Sequence, residues 1–505
     1  MDFVTDIAAK RAELTPDRPA FHDVEAAKRL SFAAVNERAD RFAHGLARLG
    51  IAAGDRIAIL TLNRTEFFEI LFACAKAGVI LVPLNWRQPP AELEPVVASS
   101  GAKLIVHDGA HAATAVALAA SAGVPRVALD GDHADHHYAE ILAGAPAGPA
   151  GPGRRAAGDV WYLLYTSGTT GVPKAVIQTF GMAWANAVNI GQAIDMTSAE
   201  RSINYLPLFH TAGINLYTLP IFLAGGLSHV LRKFDPDTAL DLIGCGEVTA
   251  FFGVPAIYQA FSLHPRLGDI DLAPVRSWGC GGAPLPEPLI RFFAERGVLV
   301  CNGFGMTETG PTVFLMDRDH AEAKIGSVGK AQMLAEVRIV DGGDRPLGDG
   351  LAGELQIRGP GITPGYYGNP DATRAAFAPD GWLRTGDIAT RDGDGYYYIV
   401  DRIKDMYISG GENVYPAEVE RVLNAHEDVL EAAVIGVADD RWGEVGRAFL
   451  IARPGRTIDV AALGPWCRER LAAYKVPKSF VVLDELPRTA AGKVRKHMLK
   501  RRGDD

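Results

Sequence analysis

Tyr165-Thr166-Ser167-Gly168-Thr169-Thr170-Gly171-Val172-Pro173-Lys174 is the stretch on which the reading of this chain turns. It sets four aliphatic hydroxyls, two glycines and one lysine in a single loop. The apolar run Val160-Trp161-Tyr162-Leu163-Leu164 precedes it and predicts a buried strand. Glycines let backbone N–H groups approach an anion closely. Hydroxyls donate further hydrogen bonds and Lys174 adds a point charge, so the loop has the chemistry of a phosphate cradle. It is not a Walker A loop, which needs Gly-Lys-Ser/Thr opening a helix. Here proline precedes the lysine, and Ala175-Val176-Ile177 predicts a second strand. The plainer alternative is a polar turn between two strands.

Working outward, 505 residues exceed one core, since domains run roughly 100–200 residues. A 48% hydrophobic content supports large cores, and a net charge of −9 argues against a dedicated nucleic-acid binder. The C-terminal end is basic (Arg488, Lys493, Arg495, Lys496, Lys500, Arg501, Arg502), which by itself reads mostly as a solvated helix face. Five scattered cysteines without a C-x-x-C pair predict neither a disulfide framework nor a zinc site, and fit a reducing compartment. The N-terminus lacks signal-peptide character. The most apolar window, Ile70 to Leu84, is too short to span a bilayer and contains Lys76. A soluble, cytoplasmic protein is expected.

The fold class expected is α/β. Residues 1 to about 140 alternate helix-like segments (Phe32 to Leu49) with buried strands (Arg56 to Leu60, Val79 to Val82), the pattern of a parallel sheet covered by helices. Ala143 to Gly158 reads as a surface connector. Residues 159 to about 330 alternate again, and 330 to 400 predict a small β region with strands at Glu354–Ile357 and Tyr396–Val400. After Asp401 a compact α+β unit follows: helices at Glu418–Leu423 and Val460–Tyr474, strands at Ala432–Val437, Phe449–Ile451 and Phe480–Leu483.

Further strings follow the cradle in order. Asn302-Gly303-Phe304-Gly305-Met306-Thr307-Glu308-Thr309 comes after the strand-like Val298-Leu299-Val300, with Glu308 its only charge. A lone carboxylate near a phosphate loop suits magnesium, which prefers oxygen ligands shared with substrate phosphates. In isolation, a turn glutamate in solvent explains it as well. Asp387 closes Trp382-Leu383-Arg384-Thr385-Gly386-Asp387, where it could accept both ribose hydroxyls. Asp401-Arg402-Ile403-Lys404-Asp405 leads into Gly410-Gly411-Glu412, and Pro487-Arg488-Thr489-Ala490-Ala491-Gly492-Lys493 comes last.

Together these strings, across essentially the whole chain, resemble the adenylate-forming superfamily of acyl-CoA synthetases, adenylation domains and luciferases, and look most like bacterial fatty acyl-CoA and aryl-CoA ligases. The resemblance implies an N-terminal domain (1–401) of two helix-covered sheets plus a small β region, and a mobile α+β C-terminal domain (402–505). It implies two half-reactions: carboxylate plus ATP gives acyl-AMP and pyrophosphate, then the thiol of coenzyme A takes the acyl group and AMP leaves. Carried onto this sequence, Thr166, Ser167, Gly168, Thr169, Thr170, Gly171 and Lys174 would hold the β- and γ-phosphates. Glu308, with Thr166, would bind magnesium, and Thr307 would sit near the α-phosphate. Gly281, Gly282, Ala283, Pro284, Phe304 and Gly305 would form the adenine slot. Asp387 and Arg402 would hold the ribose, Lys404 would be the hinge, and Gly410 and Gly411 would border the pantetheine tunnel. His210 would stand at the mouth of the acyl pocket and Lys493 would stabilise the adenylation transition state. Read alone, Lys493 is one more cation in a basic tail and His210 a structural histidine. The Lys493 string also resembles the site at which bacterial acyl-CoA synthetases are acetylated, which implies a lysine acetyltransferase as a partner. Phe304 departs from the usual tyrosine and Ala175 from the usual glycine; both leave the chemistry in place.

Segments 203–226, 249–261, 277–284 and 302–313 should line the acyl pocket. They contain no Lys, Arg or Asp, and only Glu308 is acidic. A second charge on the substrate would need a buried counter-ion, so an uncharged, largely apolar monocarboxylic acid is expected, aliphatic or aromatic. Gly213, Gly253 and Gly303 would leave room, with Phe251, Phe252, Trp278 and Phe304 as aromatic walls. Two alternatives stay open: adenylation with a carrier-protein thiol as acceptor, and a non-catalytic nucleotide-binding protein. The oligomeric state is left undecided by the sequence.

Overall fold

The computed structural model describes residues 1–132, 134–166, 173–488 and 493–501. Val160–Thr166 forms the expected buried strand and pairs antiparallel with Lys174–Thr179. This hairpin ends a seven-stranded sheet, which continues in parallel through Ile80–Pro83, Arg56–Leu60, Ala102–His107, Arg126–Ala128 and His136–His137. A second layer begins with a four-stranded sheet that includes Arg201–Asn204, Leu227–Val230 and Pro19–Asp23. The Thr249 N–H donates to the Arg201 carbonyl at 2.8 Å, bringing up beside it the parallel strands Ala250–Gly253, Ser277–Cys280 and Val300–Phe304. Of Val298-Leu299-Val300, only Val300 is in the strand.

Helix Phe32–Arg48 shows why these elements form. The Ser31 side chain accepts from Ala34 N at 3.2 Å, and Phe32, Val35, Ala39, Phe42, Ala43 and Leu46 line its buried face at helical spacing. The window Ile70 to Leu84 is divided between helix Thr65–Ala77, ended by Gly78 at φ +70°, and strand Ile80–Pro83. Its Lys76 is buried against Asp6 (2.6 Å) and Asp40 (3.0 Å). No helix among the described residues is long and apolar enough to cross a membrane. All five cysteines are free.

The small β region is the antiparallel sheet Glu336–Val340, Gly353–Arg358, Leu383–Arg391, Tyr397–Arg402. Beyond it, Tyr407–Ser409, Glu412–Val414, Val429–Asp439, Gly443–Ala452 and Ser479–Val482 form one sheet, covered by helices Pro416–Asn424 and Val460–Arg468. Three expectations need correction. The connector Ala143 to Gly158 contains a strand, Arg154–Ala156, which pairs with Phe3–Thr5. The helix expected to reach Tyr474 stops at Arg468, where the Cys467 carbonyl takes both the Arg470 and Leu471 N–H groups. The basic tail is not simply solvated: Arg488 pairs with Glu431, and Lys496 is largely buried against Glu420.

Candidate active site

The cradle hairpin closes on the Thr166–Lys174 pair. Ser167, Gly168, Thr169, Thr170 and Gly171 lie outside the described residues. Lys174 extends over the Tyr366 ring, with Nζ 5.1 Å from its centroid. Tyr366 belongs to a segment that runs alongside strand Lys174–Thr179. Ile177 N donates to Gly365 O at 3.1 Å, Tyr367 N to Ala175 O at 2.8 Å, and Thr363 Oγ1 to Ile177 O at 2.7 Å. That placement carries the Tyr366 hydroxyl to Glu308, where it donates to Oε1 at 2.9 Å.

Glu308 is therefore no solvent glutamate. It lies in a short 3₁₀ turn, Thr307–Thr309, and is 7% exposed. The turn is pinned from behind, as Gln178 donates to the Thr307 carbonyl and Thr363 N to the Glu308 carbonyl, both at 2.8 Å. Burial and the facing carboxylate push the Tyr366 phenol well above its ordinary value, so it stays a donor. The second oxygen of Glu308 accepts no hydrogen bond among the described residues. One open carboxylate oxygen with a hydroxyl such as Thr166 is a hard-oxygen donor set that suits magnesium shared with phosphates. Among the described residues, no group of three or more His, Cys, Asp or Glu could hold a metal by itself.

Before this turn the backbone passes too close for any side chain. A Cβ on Gly305 would stand 1.3 Å from the Pro311 carbonyl oxygen. Gly281 and Gly282-Ala283-Pro284 end the strand Ser277–Cys280, with Gly282 at φ +82°. Phe304 is half-buried, its ring centroid 6.1 Å from that of Phe314.

Asp387 follows Gly386, whose φ of +72° makes the turn, and is 5% exposed. Its backbone is paired with Arg402, and Arg402 Nε stands 3.4 Å from Oδ1. Burial raises its carboxyl pKa, against the pull of Arg402 and Lys493.

Lys493 thus reaches the same place from the far end of the chain. Burial and Arg402 depress its ammonium to about 8, while Asp387 and Glu308 favour its charge. It also faces His210. There burial, then Lys493 and Arg87, lower the imidazole to about 4, leaving it neutral at ordinary pH. The His210 ring packs against Phe209 and makes no hydrogen bond among the described residues.

Lys404 adds its charge to those lowering the Lys493 ammonium, from the edge of this cluster. Lys404 is exposed in the turn between Tyr397–Arg402 and Tyr407–Ser409. Gly410 and Gly411, at φ +61° and +88°, form an exposed hairpin tip whose Gly410 N–H donates to Trp442 O at 2.9 Å.

The expected acyl-pocket walls divide. Phe251 and Trp278 face the core, their rings 5.3 Å apart, beside Phe261 and Tyr258. Phe252 alternates to the opposite face. A Cβ on Gly279 or Gly281 would come within 2.7 or 2.9 Å of its ring, and Tyr217 stands edge-on to it at 5.8 Å. Tyr217 follows an irregular helical turn, Ala212–Leu216. Tyr366, Gln178 and Thr363 were not foreseen. Only the glycine before Tyr366 hinted at a special backbone there.

Known proteins match this chain along most of its length. The AMP-binding enzyme family matches residues 8–367, and the AMP-binding enzyme C-terminal domain matches 418–493. The feruloyl-CoA synthase of Amycolatopsis sp. is 42% identical over 493 residues, 98% of this chain and 97% of that protein. The crystal structure of ATP-bound MatB from Rhodopseudomonas palustris gives a TM-score of 0.92 at 31% identity over 99% of both chains. O-succinylbenzoate coenzyme A synthetase (MenE) from Bacillus subtilis, in complex with ATP and a magnesium ion, gives 0.87 at 31% identity over 100% of both.

Proposed function

Because the chain belongs to the AMP-binding enzyme family, we propose that it is an ATP-dependent, AMP-forming acyl-CoA ligase whose half-reactions use the residues gathered around Glu308, Asp387 and Lys493. The observation that carries this reading is the convergence of Lys493 with Glu308, Asp387 and Arg402 from distant parts of the chain.

In the first half-reaction the substrate carboxylate attacks the α-phosphorus of ATP and pyrophosphate leaves. Negative charge grows on the phosphoryl oxygens, so catalysis is mainly positioning and electrostatic stabilisation. Lys493, protonated below about pH 8, supplies the cation. Thr307 and the Thr166–Lys174 hairpin hold the phosphates, with Ser167, Gly168, Thr169, Thr170 and Gly171 assigned there by sequence. Glu308 and Thr166 would hold magnesium, which when bound would offset phosphate charge. Asp387 takes the ribose hydroxyls, with Arg402 holding its carboxylate. Gly281, Gly282, Ala283, Pro284, Phe304 and Gly305 flank the adenine. In the second half-reaction the thiol of coenzyme A displaces AMP. Lys493 is not needed there, so residues 402–505 turn about Lys404 and bring Gly410 and Gly411 to the pantetheine.

His210 guards the entry to the acyl pocket as a neutral group. The pocket runs over the face bearing Phe252, Tyr217, Gly279 and Gly281. An aromatic ring beside a row of glycines favours a flat, uncharged aromatic acid of the feruloyl type over a diacid or amino acid. Mass spectrometry of the chain with ATP, magnesium, coenzyme A and a panel of aromatic and aliphatic acids tests this. Aryl-CoA with AMP is the expected result. Acyl-AMP without thioester would point to another acceptor, and preference for long-chain acids would overturn the aromatic assignment.

A further inference from the structure

Asp401 lies one residue before Arg402, and nothing in the two half-reactions calls on it. Its backbone is paired with Ile388 in the sheet that also carries Asp387. It is nevertheless 7% exposed, and its two oxygens divide between two parts of the chain. Oδ1 accepts from its neighbour Arg402 N at 2.7 Å. Oδ2 accepts from Ala417 N at 2.8 Å, in the first turn of helix Pro416–Asn424, beyond Lys404. Free N–H groups at a helix start favour such an anion.

A cation on the same side is paired with that helix. Lys496 is three residues after Lys493, and Nζ stands 2.7 Å from Glu420 Oε1, on that helix. The same Glu420 oxygen accepts from Val434 N at 2.7 Å. Burial raises the Asp401 carboxyl, and Lys496 is the largest influence drawing it back. On the two sides of the stretch leading to Lys493, Arg488 and Val494 form a β-bridge and Arg495 N donates to Pro487 O at 2.7 Å. Asp401 thus bonds to the helix that anchors the segment bearing Lys493. A rotation about Lys404 must break the Ala417 bond and separate Asp401 from Lys496.

We propose that Asp401 is a positioning residue: through Ala417 N, and through the Glu420–Lys496 pair on the same helix, it holds the unit beyond Lys404 in the orientation that presents Lys493, so it favours the adenylation step selectively. The inference rests on the function proposed above. A hydrogen bond to a charged group is strong enough to shift such an equilibrium about tenfold.

The test uses the full chain and separates the half-reactions: pyrophosphate release with ATP and acid, and thioester formation from supplied acyl-AMP and coenzyme A. Asp401→Ala should slow the first about tenfold and leave the second within about twofold of wild type. Asp401→Asn, which keeps an acceptor without the charge, should fall between. Lys496→Met should shift the ratio in the same direction and serves if Asp401→Ala does not fold. Equal loss in both half-reactions, or an unchanged ratio in folded variants, overturns the inference alone. A wild-type chain that makes no acyl-AMP overturns the function beneath it.

Discussion

On one side of the site, short hydrogen bonds from Tyr366, Gln178 and Thr363 hold Glu308 and Thr307, and Asp387 lies within a strand. On the other, Lys493 arrives on a short segment that follows the last strand of a separate sheet. Glu308 has Tyr366 in front of it and Gln178 and Thr363 behind its turn. Lys493 meets Asp387 and Glu308 as charges. In the proposed function the fixed side would bind what both half-reactions share, the nucleotide, and the side that can leave would carry what only one of them needs. A group required once per cycle can be borne on a separable element, whose motion then gates turnover.

Lys493→Ala should sharpen this contrast most. Loss of one preorganised transition-state donor costs about 10²–10³-fold, so acyl-AMP formation should drop by that factor, while thioester formation from supplied acyl-AMP stays near wild type. Comparable losses in both steps would break the comparison. Glu308→Gln strikes the fixed side. Adenylation should fall about a hundredfold, as expected for losing a charged transition-state contact, and a magnesium titration should show a higher half-saturating concentration. Tyr366→Phe leaves the carboxylate but removes its donor. A hydrogen bond to a charged group contributes about 1.5–3 kcal/mol, and a tenfold or larger loss of adenylation kcat/KM would register it. The smallest effect is with pH. Lys493 serves as a cation and loses its proton as pH rises through about 8, so adenylation kcat/KM should be halved near that pH. Thioester formation should show no such inflection if Lys493 is absent from that step.

Sequence legibility followed the length of the interaction. Thr166–Lys174, Glu308, Asp387 and Lys493 stand in short strings whose residue types already fit phosphate, magnesium, ribose and transition-state charge. Their supports do not. Tyr366 is 58 residues from Glu308 and Gln178 is 129 from Thr307, and both are ordinary polar residues on strand-like segments. The two-layer α/β plan was readable from alternation of buried strands and amphipathic helices. Which face a strand turns to which layer was not. In Ala250–Gly253 and Ser277–Cys280 both faces are covered, so apolar pattern cannot orient them. That is why Phe251 and Trp278 looked like pocket walls yet pack in the core, leaving Phe252 on the glycine face. The basic tail misled for a related reason: sequence shows the cations of residues 488–501 but not that Glu420 and Glu431 come to meet two of them.

The segment 363–367 that brings Tyr366 to Glu308 also lies along the outermost strand of the seven-stranded sheet. Uncovered, that strand would offer the Ala175 and Ile177 carbonyls and the Ile177 amide to any passing extended chain. Thr363, Gly365 and Tyr367 occupy all three. An open sheet edge templates association between molecules, so this stretch guards solubility as well as chemistry. Substitutions that loosen it should be noticed first as turbidity in the purified protein, before any assay of turnover is run.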